Sequence, residues 1–299
     1  MTFAANQNKI TSAYVTQFHD SFEITCQQKE SRLLKTVHNR GSITGNMFTI
    51  NDMGNLEMRD RVRFGDTQWD LPDSGTRRVY LADKSMAVPV DKMDVPKLLA
   101  SVQGPYMNAC LFAYQREVDK AIYNALLGEI ERINEYNGSV TKVSLPNTQV
   151  ILHNNDGITK SKILTAKSIF RDNECDEHNG EEIYMLYDAI MMSQILSDTT
   201  LTSADFMSLQ MLQEGKVGTK WCGINWIPYN SLKVSDDGGL HKKSVMYTGT
   251  SVHFGQGSAY DVDISKRPDK NNTHQILVDA SFAAGRANEQ KVVEIQIAA

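Results

Sequence analysis

Large apolar side chains between residues 105 and 133 return every three or four positions: Met107, Leu111, Tyr114, Val118, Ile122, Ala125, Leu126, Ile130 and Ile133. That spacing places them on one stripe of an α-helix. Pro105 suits its first turn and Asn137-Gly138 its end, which predicts a helix of about 45 Å at roughly 1.5 Å per residue. A helix of that length predicts a spine laid across a plate. Just ahead, "DVPKLLASVQ" offers Asp94 as N-cap and Pro96 in the first turn of a shorter helix.

Upstream the pattern is poorer. Residues 11–34 show a patchy apolar face, Tyr14, Val15, Phe18, Phe22 and Ile24, in a background of Gln, Glu and Lys, which predicts a polar helical arm that docks on something, in the same subunit or on a neighbour. Residues 36–90 then change to short β-prone pieces, "SITGNMFTI", "DRVRFGD" and "TRRVYLADKSMAVPV", separated by Gly, Asn, Asp and Pro. With few large apolar residues, this segment is expected to lack a core of its own and to form a long, exposed hairpin-like excursion.

Downstream of the spine, "TQVILH" reads as a strand, "ITKSKILTAKSIFRD" as a helix, and "DNECDEHNGEE" as an acidic turn. "IYMLYDAIMMSQILSD" reads as a strand running into a helix, and "TSADFMSLQMLQEG" as a second helix with Thr202 or Ser203 as cap and Gly215 at its end. From "GINWIPYNSL" to "KVVEIQIAA" the chain is mostly strand. The layout is mixed α+β.

The run "EGKVGTKWCGINW" most resembles an active site. A Walker loop needs GxxxxGK followed by Ser or Thr between a strand and a helix, so that backbone N–H groups face the phosphates. Here Gly215 and Gly218 follow a helix and precede a strand, and the run reads as a structural turn. "CDEH", Cys175 to His178, has no second ligand pair at zinc spacing, and "DDGGL" and "DKNN" lack the ligand alternation of a calcium loop. The seven histidines are scattered, with no nucleophile motif beside them. No catalytic, cofactor or metal site is expected.

Across 299 residues, 41% hydrophobic and 22% charged composition predicts an ordinary buried core. A net charge of -5 argues against a protein held on nucleic acid by its overall charge. Neither a signal pattern nor a membrane-length apolar run is present, so a soluble protein made in a cytoplasm is expected. Cys26, Cys110, Cys175 and Cys222 form no CxxC pair and read as reduced, mostly buried thiols.

One charged cluster remains. Arg59, Arg61, Arg63, Arg77 and Arg78 lie among Asp60, Asp66, Asp70 and Asp73 on the coreless excursion. A solvated hairpin is the plain reading; the sharper one is charge-paired contact with another subunit.

The order of parts (polar arm, β excursion, spine helix, helix-rich middle, strand-rich end) resembles the major capsid proteins of tailed bacteriophages, which share the Hong Kong 97-type shell fold. "IYMLYDAIMMSQILSD", then "SADFMSLQMLQEGKVGTKWCGINWIPYNSL", is similar to the family's strand, helix and glycine turn. "DASFAAGRANEQKVVEIQI" is similar to its closing small-residue run, Arg-Glu turn and last strand. The resemblance implies an N-terminal arm over 1–35, an extended loop over 36–93, a peripheral domain with the spine helix over 94–180, and an axial domain over 181–299 with some strands returning to the peripheral domain. It also implies a non-enzymatic shell protein of the virion, assembled in the host cytoplasm as hexamers and pentamers around double-stranded DNA.

That DNA would be enclosed without sequence-specific binding, with Lys9, Lys29, Arg32, Lys35 and Arg40 biased inward; no membrane is involved. Scaffolding, portal and decoration proteins are the implied partners. A separate scaffold is expected if this form is unprocessed, because the chain starts directly at the arm, and non-covalent assembly because no lysine-asparagine crosslinking motif aligns. Two alternatives stay open: an encapsulin-type nanocompartment shell, and a soluble enzyme with a dispersed active site.

Overall fold

A computed structural model describes residues 27–61, 63–67, 69–90, 103–197, 220–234, 241–270 and 272–298. The chain forms two compact units, one of Arg32–Ala82, Val118–Gly257 and Phe282–Ala299, the other of Met1–Ser31, Asp83–Glu117 and Ser258–Ser281. Both units are assembled from distant segments, so they cut across the linear four-part division expected from sequence.

The larger unit is built on a six-stranded sheet. Its strands are β7 (Val150–Ile151), β8 (Ile183–Tyr187), β9 (Lys220–Trp221), β10 (Ile224–Pro228), β11 (His241–Thr248) and β14 (Val292–Ala298), in the order β7-β14-β11-β8-β10-β9. β11 lies antiparallel to both β14 and β8, in register from His241↔Ala298 to Tyr247↔Val292. Val245, Met246, Tyr247, Val292, Val293 and Ile295 are fully buried, so these strands are covered on both faces.

Helix α2 (Lys160–Asp172) packs against β14. Thr159 caps it by accepting from the Lys162 backbone N–H, and Ile163, Ala166 and Phe170 bury one face at helical spacing. The short helix α3 (Ala189–Ser197) follows β8 directly and buries Met191 and Ile195, one turn apart.

A second sheet of four antiparallel strands belongs to the same unit: β2 (Met47–Met53), β3 (Ser74–Tyr80), β5 (Ile130–Asn134) and β6 (Val140–Val143). β2 and β3 alternate strictly, and Phe48, Ile50 and Val79 join Ile130 and Ala283 in one apolar cluster. This corrects the expectation of a coreless excursion. Its strands β2 and β3 carry a period-2 apolar face that other parts of the subunit complete, and the described residues between them, within 54–73, lie in no strand or helix.

The spine is helix α1 (Gln103–Leu127), about 37 Å at roughly 1.5 Å per residue. It stops ten residues short of the predicted end. Ile130 and Ile133, which continue the helical period, lie instead on β5, where Ile133 pairs with Thr76 and Arg132 with Arg77. Gly128 closes the helix, its N–H donating to the Asn124 carbonyl at 2.7 Å. Asn137-Gly138 proves to be the β5–β6 hairpin turn, with Gly138 at a φ of 67°.

In the smaller unit, β4 (Ala82–Val90), β12 (Val252–Arg267) and β13 (Thr273–Arg286) are sheet neighbours. Cys110 of α1 packs there with Ile276 and Val278, beside Met86, Val88, Tyr260 and Val262. In the larger unit β12 also takes β1 (His38–Ser42) as a parallel partner.

Residues 27–33 are not helical, so the predicted arm helix does not reach Leu34; its earlier part lies outside the described residues. So do most of "DVPKLLASVQ", the helix over "TSADFMSLQMLQEG", and Gly215 and Gly218. Of the glycine-rich run, residues 220–226 are described, Cys222 and Gly223 among them. Both adopt positive φ, 53° and 73°, and form the tight turn between β9 and β10.

Gly285, on β13, is required by close packing. A Cβ there would stand 2.2 Å from Val79 Cγ2 and 3.3 Å from Ile130 Cδ1. Gly285→Ala is therefore expected to destabilise the chain by about 1–3 kcal/mol, read as a lower urea midpoint at unchanged slope.

Candidate assembly surface and the ion-pair network at its base

Residues 54–73 leave the β2–β3 hairpin and expose a row of large apolar side chains. Met58 is fully exposed, Phe64 92%, Trp69 88% and Leu71 83% exposed, with Met53 and Leu56 beside them. Large apolar side chains left this exposed are candidates for cover by a partner surface. Within this segment the Arg59 Nη2 donates to Asp70 Oδ1 at 2.7 Å, and the Arg63 guanidinium lies 5.1 Å from the Phe64 ring centre. Arg59, Arg61 and Arg63 are all exposed.

Arg77 is different. It is 4% exposed and commits its guanidinium inside its own subunit: Nε donates to Asp52 Oδ2 at 3.0 Å, Nη1 to Glu289 Oε1, and Nη2 to Glu289 Oε2 at 2.8 Å. The fork on Glu289 is bidentate, the strongest form of this pair. Arg77 is thereby moved from the set of arginines expected at neighbouring subunits to an internal anchor. Arg78, its neighbour on the opposite face of β3, is half-buried and pairs in register with Glu131 of β5.

Arg132 of β5 stands opposite Arg77 in the ladder, and its Nε donates to the same Asp52 oxygen at 2.9 Å while Nη2 reaches Asp73 at 3.0 Å. One carboxylate thus separates two guanidiniums. Next to them Arg286, 1% exposed, donates Nη1 to the carbonyls of Leu126 and Gly128, both at 2.9 Å, and Nη2 to Val143 O at 3.1 Å. Those are the carbonyls left open where α1 ends and β6 stops. Its Nε faces Glu289 at 3.4 Å.

Burial works against the Arg77 charge, but the bonds from Glu289 and Asp52 outweigh it and raise its pKa. Burial likewise opposes the Glu289 charge; Arg77, with Arg286 close by, outweighs it and holds the carboxyl below its ordinary 4.5. For Arg286 burial dominates and lowers the guanidinium. Asp52, Arg132 and Glu289 were not singled out from sequence. The visible trace of this network was the Arg-Glu turn in "DASFAAGRANEQKVVEIQI", which Arg286 and Glu289 form.

The N-terminal segment is tied to the same unit by Asp119 of α1. This buried carboxylate accepts from the backbone N–H of Arg32 at 3.0 Å and of Leu33 at 3.1 Å. Cys110 and Cys175 are buried free thiols, and Cys222 is exposed. Asp176 caps the acidic turn by accepting from the His178 N–H. Among the described residues no helix is long and apolar enough to cross a membrane.

This fold has counterparts among solved structures. A chain from Mycobacterium phage Che8 is similar at 16% identity and a TM-score of 0.68, covering 93% of this chain and 94% of that one. The capsid of Ralstonia phage GP4 is similar at 12% identity and 0.70, covering 94% of each chain. The capsid of cyanophage Pam1 is similar at 13% identity and 0.69, covering 94% of this chain and 95% of that one. These define the Hong Kong 97-type capsid fold.

A family model described as phage capsid protein matches residues 10–299, and the chain belongs to that family. It is a major capsid protein, it forms the phage head shell, and its place is the virion; the nanocompartment alternative is not favoured. No curated protein matches the chain in sequence.

The network has a pH signature. Glu289 is held below its unfolded value, so its contribution to stability is complete above about 4.5 and is lost as the pH falls through its lower folded value. Urea unfolding at constant ionic strength is expected to show stability declining below pH 4.5, with Glu289→Gln less stable at neutral pH and flatter in that range. A Glu289→Gln profile parallel to the parent chain would remove Glu289 from this role.

Proposed function

We propose that this subunit closes with its copies into hexamers and pentamers through heterologous contacts made largely by the exposed segment over 54–73. The observation that carries this reading is the apolar row from Met53 to Leu71 on a segment whose root is anchored by Arg77, Asp52 and Glu289. An anchored root presents the row in one orientation, and a neighbour supplies the apolar cover that the subunit withholds. Arg59, Arg61, Arg63 and Arg78 are the arginines we assign to contacts across subunits.

In this reading residues 1–35 act as the arm, 36–93 as the extended loop, 94–180 as the peripheral domain and 181–299 as the axial domain. Assembly is non-covalent, takes place in the host cytoplasm, and works with scaffolding, portal and decoration proteins. The chain acts by self-association and turns over no substrate. Double-stranded DNA is enclosed without sequence readout. Lys29 and Lys35 are exposed for phosphate contact, whereas Arg32 is bonded to the Pro228 carbonyl and Arg40 to Thr49 and His253.

Replacing residues 55–72 by a short Gly-Ser turn is expected to leave a folded subunit that does not form closed shells in negative-stain images. Normal shells from that variant would sink the proposal. Charge reversal separates the arginines further. Arg61→Glu with Arg63→Glu is expected to impair assembly while the thermal midpoint of isolated subunits stays within a degree or two. Arg77→Glu is expected to cost about 3–5 kcal/mol of subunit stability, because it leaves Glu289 and Asp52 facing a third carboxylate.

A further inference from the structure

Strand β1 consists of His38, Asn39, Arg40, Gly41 and Ser42, all exposed, so no apolar side chain of its own pins it to β12. Its parallel pairing, His38↔His253 and Asn39↔Phe254, slips register before Ser42↔Gln256. Arg40 supplies what the ladder lacks. Its Nε donates to His253 Nδ1 at 3.0 Å, its Nη1 to the Thr49 carbonyl at 2.5 Å, and its guanidinium lies 5.6 Å from the Phe48 ring centre. One side chain thereby joins β1, β2 and β12.

His253 is half-buried and accepts at Nδ1, which places the proton of the neutral ring on Nε2. The groups that face it are basic. β1 contributes Arg40 and His38, whose ring centre is 4.6 Å away, and Lys291 approaches from the turn before β14. Lys291 is itself occupied, donating to Glu181 Oε1 and Thr250 Oγ1, both at 2.6 Å. β2 presents Phe48 and Thr49, neither of which titrates. Burial first, then Arg40, His38 and Lys291, push His253 from 6.5 down to about 4.

We propose that His253 and Arg40 form an acid-released latch that holds β1, and with it the root of the β2–β3 hairpin, against β12. A proton taken from solvent onto Nδ1 occupies the lone pair that Arg40 uses, turns the acceptor into a donor, and sets two cations face to face. Arg40 then leaves, and β1 keeps only its irregular ladder. Because the folded value lies below the unfolded one, the latch is complete above pH 6.5 and is lost as the pH falls from 6.5 toward about 4. The latch belongs to one subunit, so its failure would leave the assembly reading standing.

Hydrogen exchange on the full chain between pH 7.5 and 4.5, corrected for intrinsic rates, tests this. Protection of residues 38–42 is expected to fall about tenfold per pH unit below 6.5, while β11 and β14 keep theirs. In His253→Asn, whose side-chain oxygen accepts from Arg40 without titrating, the profile is expected to be flat. His38→Gln, which removes one of the groups that hold His253 down, is expected to make the fall level off at a higher pH. A parent chain with no fall, or an equal fall in folded His253→Asn, overturns the latch. If β11 and β14 show that His253→Asn is misfolded, the His38→Gln profile decides, and one superimposable on the parent chain overturns it.

Discussion

Arg77 and Arg132 face each other across the β3–β5 ladder, and that like-charge pair is tolerable because Asp52 of β2 accepts from both. Like charges directly opposite destabilise a sheet, and a half-neutralised buried cation costs several kcal/mol. Here the arrangement is closed by Glu289, which takes the rest of the Arg77 fork. Three strands and the turn before β14 are therefore held in one register by charges that need one another. The long loop emerges from two of those strands.

The same region joins the end of the spine helix to the sheet. Arg286 satisfies the carbonyls of Leu126 and Gly128 where α1 stops, and that of Val143 where β6 stops. Three carbonyls accept from its Nη atoms while Glu289 faces its Nε, which suits a position where chain ends leave acceptors open. Gly285, directly before it, lets β13 approach Val79 closely. A polar network and an apolar cluster thus lock the root of a segment whose tip exposes Phe64, Trp69 and Leu71.

Local pattern alone was enough wherever one short stretch carried both the period and its punctuation. "ITKSKILTAKSIFRD" has Thr159 as cap and a buried face at Ile163, Ala166 and Phe170, and "IYMLYDAIMMSQILSD" is a strand broken into a helix at Asp188. The capsid family was legible from the order of such pieces. Length and composition excluded little beyond a spanning helix, and the five clustered arginines read alike because sequence proximity does not report which side chains point inward.

Tertiary structure decided what depends on partners far along the chain. Ile130 and Ile133 fit the helical period, yet pairing of Ile133 with Thr76 of β3 and of Ile130 with Val143 of β6 draws them into a strand, since backbone pairing with other segments outweighs weak local propensity. Phe48, Ile50 and Val79 looked too few for a core because Ile130 and Ala283, which complete it, lie more than fifty residues from any of them. Arg77 differs from Arg61 and Arg63 in being buried against Asp52 and Glu289, the latter 212 positions away. The sequence by itself determined periods, caps and turns, which are set by neighbours within a few residues; which charges are buried and which strands pair is set by contacts that exist only once the chain has folded.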